Sequence, residues 1–276
     1  MGMYTKAGIG RPDKSKARKT QGIFQFYEGV TPLKQDTTLD SLYMSILQEA
    51  FGSDHPESER DATTRSILGA LTLTTNPLSP SAIASLLAIS PTRVIRQLSS
   101  MQSLLILHDA DRPVRPFHKS FPDFIVDEAR CTNERFRVSP PSHHLHLLVK
   151  CLELVIQKLE KNMCKLPDAV TNSEVDDLEK KVGKFVDPAL RYACKSWHKH
   201  LVGERVAPTS AITSTLHRFL ENKFLFWLEV LSVIGAVREA VDALQMVAKW
   251  LEVCHVSTPH VLPKCTGALR LGISDS

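Results

Sequence analysis

The spacing of apolar residues predicts that the first part of the chain is helical. Apolar side chains recur at helical spacing over residues 37–51 behind a Thr/Asp cap, and Gly52 ends the segment. A second helix is predicted for residues 58–73, with Ile67, Leu68 and Leu71 on its apolar side, and residues 74–77 stop it. These segments are therefore predicted to be two amphipathic helices.

Two Ser-Pro pairs predict where the next two helices begin. Ser79-Pro80 and Ser90-Pro91 each place a capping serine directly before a proline at the first helical position. Helices are predicted for residues 79–87 and 90–98, followed by apolar runs at 104–108 and 114–117 that are separated by polar residues. Two short helices followed by a β-hairpin are the parts of a winged helix-turn-helix.

Beyond Pro140 and Pro141 the pattern is helical almost to the end. Residues 145–159 carry one apolar stripe, and further helices are predicted at 186–201, 214–235 and 236–253. The predicted fold class is mainly α: a winged helix-turn-helix with a small β-hairpin, followed by a helical bundle domain. The predicted division of the chain is 1–36 disordered basic leader, 37–130 winged-helix domain, 131–256 helical domain and 257–276 disordered tail.

Composition and charge place this chain among cytosolic globular proteins. It has 276 residues, is 43% hydrophobic and carries a net charge of +4, of which residues 1–22 contribute +5, leaving −1 for the rest. The six cysteines are scattered, as is typical of reduced thiols. The sequence contains no long apolar run and its N-terminus does not resemble a signal peptide, so we predict a cytoplasmic protein without a membrane partner.

Several segments, taken together and in order, resemble one protein family. They are LDSLYMSIL at 39–47, NPLSPSAIASLL at 76–87, VRPFHKSFPDFIVD at 114–127, ALRYACKSWHKHL at 189–201 and FLENKFLFWLEVLSVIG at 219–235. These segments resemble the region that follows the nucleotide-binding core in fungal NACHT signalling NTPases, a class that includes NOD-like receptors. The resemblance implies a winged-helix domain and a helical domain, placed between a NACHT ATPase and downstream repeats.

The sequence lacks the phosphate-binding loop of the ATPase core. A Walker A loop needs a second glycine before Lys and Ser/Thr, so that backbone N–H groups wrap the phosphates. The nearest candidate ends in Lys14 and Ser15 but has Asp13 in place of that glycine, and no strand precedes it. We therefore expect no cofactor of this chain's own; ADP or ATP would be met only through a NACHT core that this chain does not contain.

His118 is the candidate nucleotide-sensing residue. In related receptors a histidine at the end of the winged-helix hairpin is thought to face the phosphates of the bound nucleotide and to hold the closed, ADP-bound state. The resemblance implies the same for His118, which precedes the Asp123-Phe124 pair. A histidine donor can report phosphate occupancy because its hydrogen bond is strengthened by the phosphate charge. The alternative is a structural histidine that packs and caps the next helix.

Four residues are candidates for interaction: Arg93, Arg96, Phe226 and Trp227. Arg93 and Arg96, with Gln97, are the polar residues of the second short helix, where a recognition helix would contact bases and phosphates. The other residues of this helix are largely apolar, and the net charge of the chain after residue 22 is close to zero. Both features disfavour DNA binding. The helix around Phe226 and Trp227 is apolar almost all round, which is typical of burial within a larger assembly.

Metal sites and enzymatic sites are not predicted. Two groups carry ligand-type side chains, namely His143, His144 and His146, and Cys194, His198 and His200. Residues 194 and 198 share a helix face, but 200 points elsewhere and no second pair follows at a finger-like spacing. The resemblance instead implies that Cys194 and Trp197 are core positions. No nucleophile elbow, zincin helix or Rossmann glycine pattern occurs, so we predict a chain that is not an enzyme.

The predicted function is a non-catalytic regulatory and interaction module of a NACHT-type signalling NTPase. It would transmit nucleotide state by rigid-body reorientation. Its predicted partner is a NACHT ATPase domain, in cis within a longer protein or in trans, and a second copy of the chain is a further candidate. The alternative is a winged-helix DNA-binding protein; a helical-repeat scaffold over 142–253 lacks the fixed repeat period that it requires. A complete short protein and a truncated gene product both fit the sequence.

Overall fold

The structure, a computed structural model, describes residues 35–52, 59–167, 171–201 and 209–257. The chain divides into two units between residues 39 and 40; of the first, only residues 35–39 are described, and the described packing is that of the second. The predicted leader lies outside the described residues except for its last two positions, and the predicted tail except for its first. Both stay predictions.

The described residues are mainly helical, with one small hairpin, which confirms the predicted class. The helices are α1 Gln35–Phe51, α2 Glu59–Leu73, α3 Pro80–Leu87, α4 Pro91–Ser100, α5 Ser120–Val126, α6 Pro140–Lys158, α7 Leu178–Phe185, α8 Pro188–Ser196, α9 Ser210–Asn222, α10 Phe224–Val233 and α11 Arg238–Ser257. Short 3₁₀ helices cover Asn172–Glu174 and Trp197–His200. The hairpin pairs β1 Leu105–Ile106 with β2 Arg115–Pro116 in antiparallel register. Its place after α3 and α4 agrees with a winged helix, which stays an interpretation.

The Ser-Pro pairs begin α3 and α4 as predicted. The Ser79 hydroxyl accepts a hydrogen bond from the Ala82 N–H at 3.2 Å, and the Ser90 hydroxyl accepts one from the Arg93 N–H at 3.3 Å. Each serine thereby satisfies an N–H group that has no partner inside its helix. Local sequence was therefore sufficient to locate both helix starts.

The hairpin is shorter than the predicted apolar runs. Its turn is shaped by Asp109, whose Oδ1 accepts hydrogen bonds from the N–H groups of Asp111 and Arg112 at 3.0 and 2.9 Å. Pro113 and Pro116 have no N–H to donate, which limits the ladder that the second strand can form. Two residues in each strand are therefore paired.

The single helix predicted for 214–235 is wrong, since the chain forms α9 and α10 with a break at Lys223. Lys223 has φ −128° and ψ −4°, outside the helical region. Its ammonium donates to the Leu159 carbonyl oxygen at 2.7 Å and lies 5.7 Å from the centre of the Phe226 ring. The break between α9 and α10 thus coincides with a tertiary contact to the end of α6. The periodicity of apolar residues does not predict this break.

The predicted helix at 186–201 also divides differently. Asp187 caps α8, accepting a hydrogen bond from the Leu190 N–H at 2.9 Å, and Pro188 is the first helical residue. α8 ends at Ser196, where the chain tightens into the 3₁₀ helix Trp197–His200. An Asp-Pro cap, the same device as the two Ser-Pro pairs, was the overlooked signal for the start of α8.

Helix α6 lies at the centre of the packing. It packs against α2, α3, α8, α9 and the 3₁₀ helix Trp197–His200. Beside it the rings of Trp197, Phe219 and Trp227 contact one another edge to face, with centroids 5.3 to 5.9 Å apart. Aromatic pairs in this geometry stabilise a core beyond the area that they bury.

Polar contacts join α3, α6 and α8. The Lys158 ammonium at the end of α6 pairs with Asp187, the cap of α8, and also donates to the Ser85 hydroxyl of α3 at 3.2 Å. These contacts cross the boundary predicted at residues 130 and 131. The boundary itself stays a prediction, but α3 and the two later helices share one packed interface.

Gly69 marks the close approach of α2 to α6. A Cβ added there would lie 2.4 Å from Cδ2 and 3.1 Å from Cγ of His143, whose Nδ1 is 2.9 Å from the Ser139 carbonyl oxygen. Overpacking lowers the free energy of unfolding by about 1–3 kcal/mol. The higher helix propensity of alanine offsets at most about 1 kcal/mol of that loss. We expect Gly69→Ala to lower the free energy of unfolding by about 1–2 kcal/mol, measured by urea denaturation.

Gly183 offers the matched control for this prediction. It lies in α7, and an added Cβ there would meet no atom within 4 Å. Gly183→Ala is expected to raise the free energy of unfolding by about 0.5–1 kcal/mol, because alanine is the better helix former. If Gly69→Ala were stabilising to the same degree, the close contact between α2 and α6 would be disproved.

Candidate site at His118 and the buried histidine cluster

His118 is an exposed residue between the hairpin and α5. Its Nδ1 accepts a hydrogen bond from the Ser120 N–H at 3.2 Å and lies 2.7 Å from the Ser120 hydroxyl oxygen. The same hydroxyl is 2.7 Å from the hydroxyl of Tyr43 on α1. The contact expected of a structural histidine at a helix start is therefore present, while the residue as a whole is exposed.

The hairpin surface next to His118 exposes apolar and basic side chains. Phe117 is 74% exposed and Ile106 is 40% exposed, while Arg115 is exposed beside them. Arg115 and Ile106 are cross-strand partners, so their side chains leave the same face of the hairpin. A large exposed phenylalanine next to an exposed histidine is typical of a surface that meets another protein.

The two arginine candidates on α4 differ in exposure. Arg96 is exposed and Arg93 is half-buried. Gln97, the third polar residue considered for DNA contact, is only 3% exposed and accepts a hydrogen bond from the Thr64 hydroxyl at 2.8 Å. Its side chain joins α4 to α2 in the core, so Gln97 does not offer the base contact that a recognition helix would make.

The two interaction candidates on α10 also differ in burial. Phe226 is half-buried, and its ring lies under the Lys223 ammonium. Trp227 is fully buried, and its Nε1 donates to the Cys194 carbonyl oxygen at 2.9 Å. The structure places Trp227 in the core, so Phe226 alone of this pair reaches the surface. Cys194 and Trp197 are buried, as the resemblance implied.

The structure brings together histidines that the sequence analysis kept in separate groups. His144 of α6 and His200 of the 3₁₀ helix have their Nδ1 atoms 3.0 Å apart, and the Nε2 of His200 is 2.7 Å from the Tyr192 hydroxyl. His200 is 1% exposed. In the part of the chain that the structure describes, no group of three or more His, Cys, Asp or Glu side chains is arranged to hold a metal.

Burial keeps this histidine cluster neutral. Desolvation lowers the pKa of His200 to about 3, and the nearby His144 and His198 add to the effect. The pKa of His144 is lowered as well, again chiefly by burial, and burial raises the pKa of the Tyr192 hydroxyl. The arrangement is a set of neutral hydrogen bonds that holds α6, α8 and the 3₁₀ helix together.

A second buried histidine lies where the 3₁₀ helix meets α11. The Nε2 of His198 is 3.5 Å from Oε2 of Glu239, and the Lys199 ammonium lies 2.9 Å from the same oxygen. Burial lowers the pKa of His198. Lys199 and Glu239 thus form an ion pair beside the buried His198 ring, where the 3₁₀ helix packs against α11.

Sequence reasoning identified His118 but not the residues that hold it. The contact with Ser120 could have been predicted, because residues two positions apart at a helix start can form a local hydrogen bond between side chain and backbone. Tyr43 had none, since it lies 77 residues away from Ser120. Tyr192 and the pairing of His144 with His200 were likewise invisible, because only tertiary packing brings those helices together.

Comparisons with known proteins give one distant relative. The chain is 26% identical over 240 residues to the vegetative incompatibility protein HET-E-1 of Podospora anserina, a match that covers 77% of this chain and 17% of that protein. No family model matches, and no solved structure matches. The chain thus spans about a sixth of the length of its relative. At a coarse level the match agrees with the resemblance to fungal NACHT-type signalling proteins.

None of the helices that the structure describes is both long enough and apolar enough to cross a membrane.

Proposed function

We propose that this chain is a non-catalytic regulatory module of a NACHT-type signalling NTPase, acting in the cytoplasm. Its partner is a NACHT ATPase domain, in cis within a longer protein or in trans, and the nucleotide chemistry takes place in that domain. The module adds a histidine to the nucleotide site and thereby ties its own orientation to the nucleotide that is bound. ADP favours the docked arrangement, and loss of the contact releases it.

The observation that carries this proposal is the position of His118. It is exposed at the junction of the hairpin and α5, and among the residues that the structure describes its ring is hydrogen-bonded through Nδ1. Because the side chain is exposed, we infer that the other ring nitrogen can bind a ligand brought by a second protein surface. The exposed Phe117 next to it supplies apolar area for the same contact.

The packing of the module supports transmission by rigid-body movement. Arg130 forms a two-pronged ion pair with Asp40, with N–O distances of 3.0 and 2.7 Å, joining the segment after α5 to α1. Arg135 donates to the Phe51 and Gly52 carbonyl oxygens at the end of the same helix. These contacts couple α1 to the segment after α5, so a displacement of His118 is expected to move α1 with it.

The test is calorimetric titration of ADP with Mg²⁺ into the chain, into a separately expressed NACHT core from a fungal relative, and into their mixture. We expect ADP to bind more tightly to the mixture than to the core. His118→Ala is expected to weaken binding by the mixture about tenfold or more, since a hydrogen bond to a charged group contributes about 1.5–3 kcal/mol.

His108→Ala is the matched control, because His108 is an exposed histidine of the hairpin that precedes the proposed contact. It is expected to leave the ADP affinity of the mixture unchanged. Tight ADP binding by the chain alone would overturn the non-catalytic assignment, since the chain would then have a nucleotide site of its own. Equal ADP affinity of core and mixture would overturn the regulatory role.

A further inference from the structure

Three side chains form a hydrogen-bonded series from the core to the exposed ring of His118. The Tyr43 hydroxyl is 2.7 Å from the Ser120 hydroxyl oxygen, which is 2.7 Å from Nδ1 of His118. The Ser120 N–H donates to the same Nδ1 at 3.2 Å. The geometry therefore links α1, the start of α5 and the candidate nucleotide-sensing residue.

The backbone contact determines where the protons of this series lie. A backbone N–H can only donate, so Nδ1 of His118 must accept, and the neutral ring carries its proton on Nε2. With Nδ1 accepting, the Ser120 hydroxyl donates its proton to the ring. Its oxygen is then free to accept the proton of the Tyr43 hydroxyl, while the N–H and the O–H of Ser120 share the single lone pair of Nδ1.

Tyr43 is a rigid anchor for this series. It is 5% exposed, and its ring contacts Phe121 and Phe124 of α5 with centroids 5.5 and 5.4 Å apart. A ring packed in this way has one orientation, so its hydroxyl is fixed relative to Ser120. Two separate elements, α1 and α5, therefore orient the His118 ring.

We propose that Ser120 and Tyr43 are positioning residues that hold His118 as the Nε2–H tautomer, with that N–H as the donor offered to a nucleotide phosphate. The part that concerns phosphate rests on the proposed function. The part that concerns the tautomer and the ring orientation holds for the chain alone. Fixing the ring beforehand removes the entropy that a free side chain would lose on binding, which strengthens the contact.

The first test is nitrogen NMR of the chain alone, labelled at histidine, at a pH where the His118 ring is neutral. Long-range proton–nitrogen correlations distinguish the protonated ring nitrogen from the unprotonated one. We expect a single Nε2–H tautomer for His118. In Ser120→Ala the backbone N–H still donates to Nδ1 but the shorter hydroxyl contact is lost, so a minor Nδ1–H population is expected beside the Nε2–H tautomer. Ser120→Thr, which keeps the hydroxyl, is expected to retain the wild-type signal. An Nδ1–H tautomer in the wild type would overturn the proposal.

Tyr43→Phe tests the buried end of the series. This change removes only the hydroxyl and leaves the ring packing in place, so the fold is retained. We expect the Ser120 hydroxyl to lose its fixed direction and the His118 signal to move toward that of Ser120→Ala. An unchanged His118 signal in Tyr43→Phe would show that Tyr43 has no part in orienting the ring.

The second test measures ADP affinity of the mixture with a NACHT core, in a double-mutant cycle. Ser120→Ala is expected to weaken ADP binding several-fold when residue 118 is histidine and to have no effect in the His118→Ala background. A loss of equal size in both backgrounds would mean that Ser120 acts only through stability, which overturns the positioning role. The expected tautomer without any effect of His118→Ala on affinity would count against the proposed function and leave the ring orientation standing.

Discussion

Replacing Trp227 with alanine is expected to lower the free energy of unfolding by about 3–5 kcal/mol, the largest effect of any single substitution considered. Trp227 is fully buried, and its ring contacts Trp197, Phe219 and Phe224 with centroid distances of 5.9, 5.5 and 5.9 Å. The substitution leaves a cavity that those rings cannot fill by a small movement. It also removes the donor to the Cys194 carbonyl oxygen.

The neighbouring Phe226→Ala is the matched control, measured in the same urea denaturation experiment. Phe226 is half-buried, so we expect its loss to cost clearly less than that of Trp227. Trp227→Phe, which keeps an aromatic ring, is expected to lie between the two. A smaller cost for Trp227→Ala than for Phe226→Ala would show that α10 presents the opposite face to the core, with Trp227 available for interaction.

The second large effect expected is a loss of stability in mild acid. The pKa of His200 is about 3 in the folded chain because of burial, whereas an unfolded histidine titrates near about 6.5. Between these values the unfolded state binds more protons, so the free energy of unfolding falls as the pH falls through this window. His200 alone is expected to remove about 2 kcal/mol between pH 8 and pH 5. The pKa values of His143, His144, His146 and His198 are also lowered by burial, which adds to the same trend.

Urea denaturation at a series of pH values measures this effect. His200→Gln keeps a polar side chain without a titrating group, and we expect it to have a distinctly flatter dependence on pH than the wild type. Leu201→Ala is the matched control, because Leu201 is buried beside His200 and its loss destabilises without changing titration. Identical slopes for His200→Gln and wild type would show that His200 is accessible to protons in the folded chain.

The helix starts could be predicted from local sequence alone. Ser79, Ser90 and Asp187 each accept a hydrogen bond from the N–H three residues further on, so the cap and the helix start are decided within one short segment. The hairpin was predicted for the same reason, from an Asp-rich turn between apolar runs. The error at Lys223 has the opposite origin, because a contact with Leu159 of α6 accompanies the break.

Residue types alone did not decide which candidate side chains are exposed. Gln97 and Trp227 both lie in the core, while Phe117 and His118 lie at the surface. Helical periodicity identifies an apolar face, but it does not say whether a polar residue on the border of that face finds a buried partner, as Gln97 does in Thr64. That depends on which helix lies opposite.

The mainly helical class, the caps of the short helices and the hairpin could be predicted from residue order, because each depends on neighbouring residues. His118 was identified because a run of segments, in order, resembles one family. Three contacts are visible only in the folded chain: Tyr43 with Ser120 next to His118, His144 with His200, and the close approach of α2 to α6 at Gly69. These contacts join residues more than fifty positions apart. Their formation depends on how whole helices pack against α6, and no local pattern records which faces will meet.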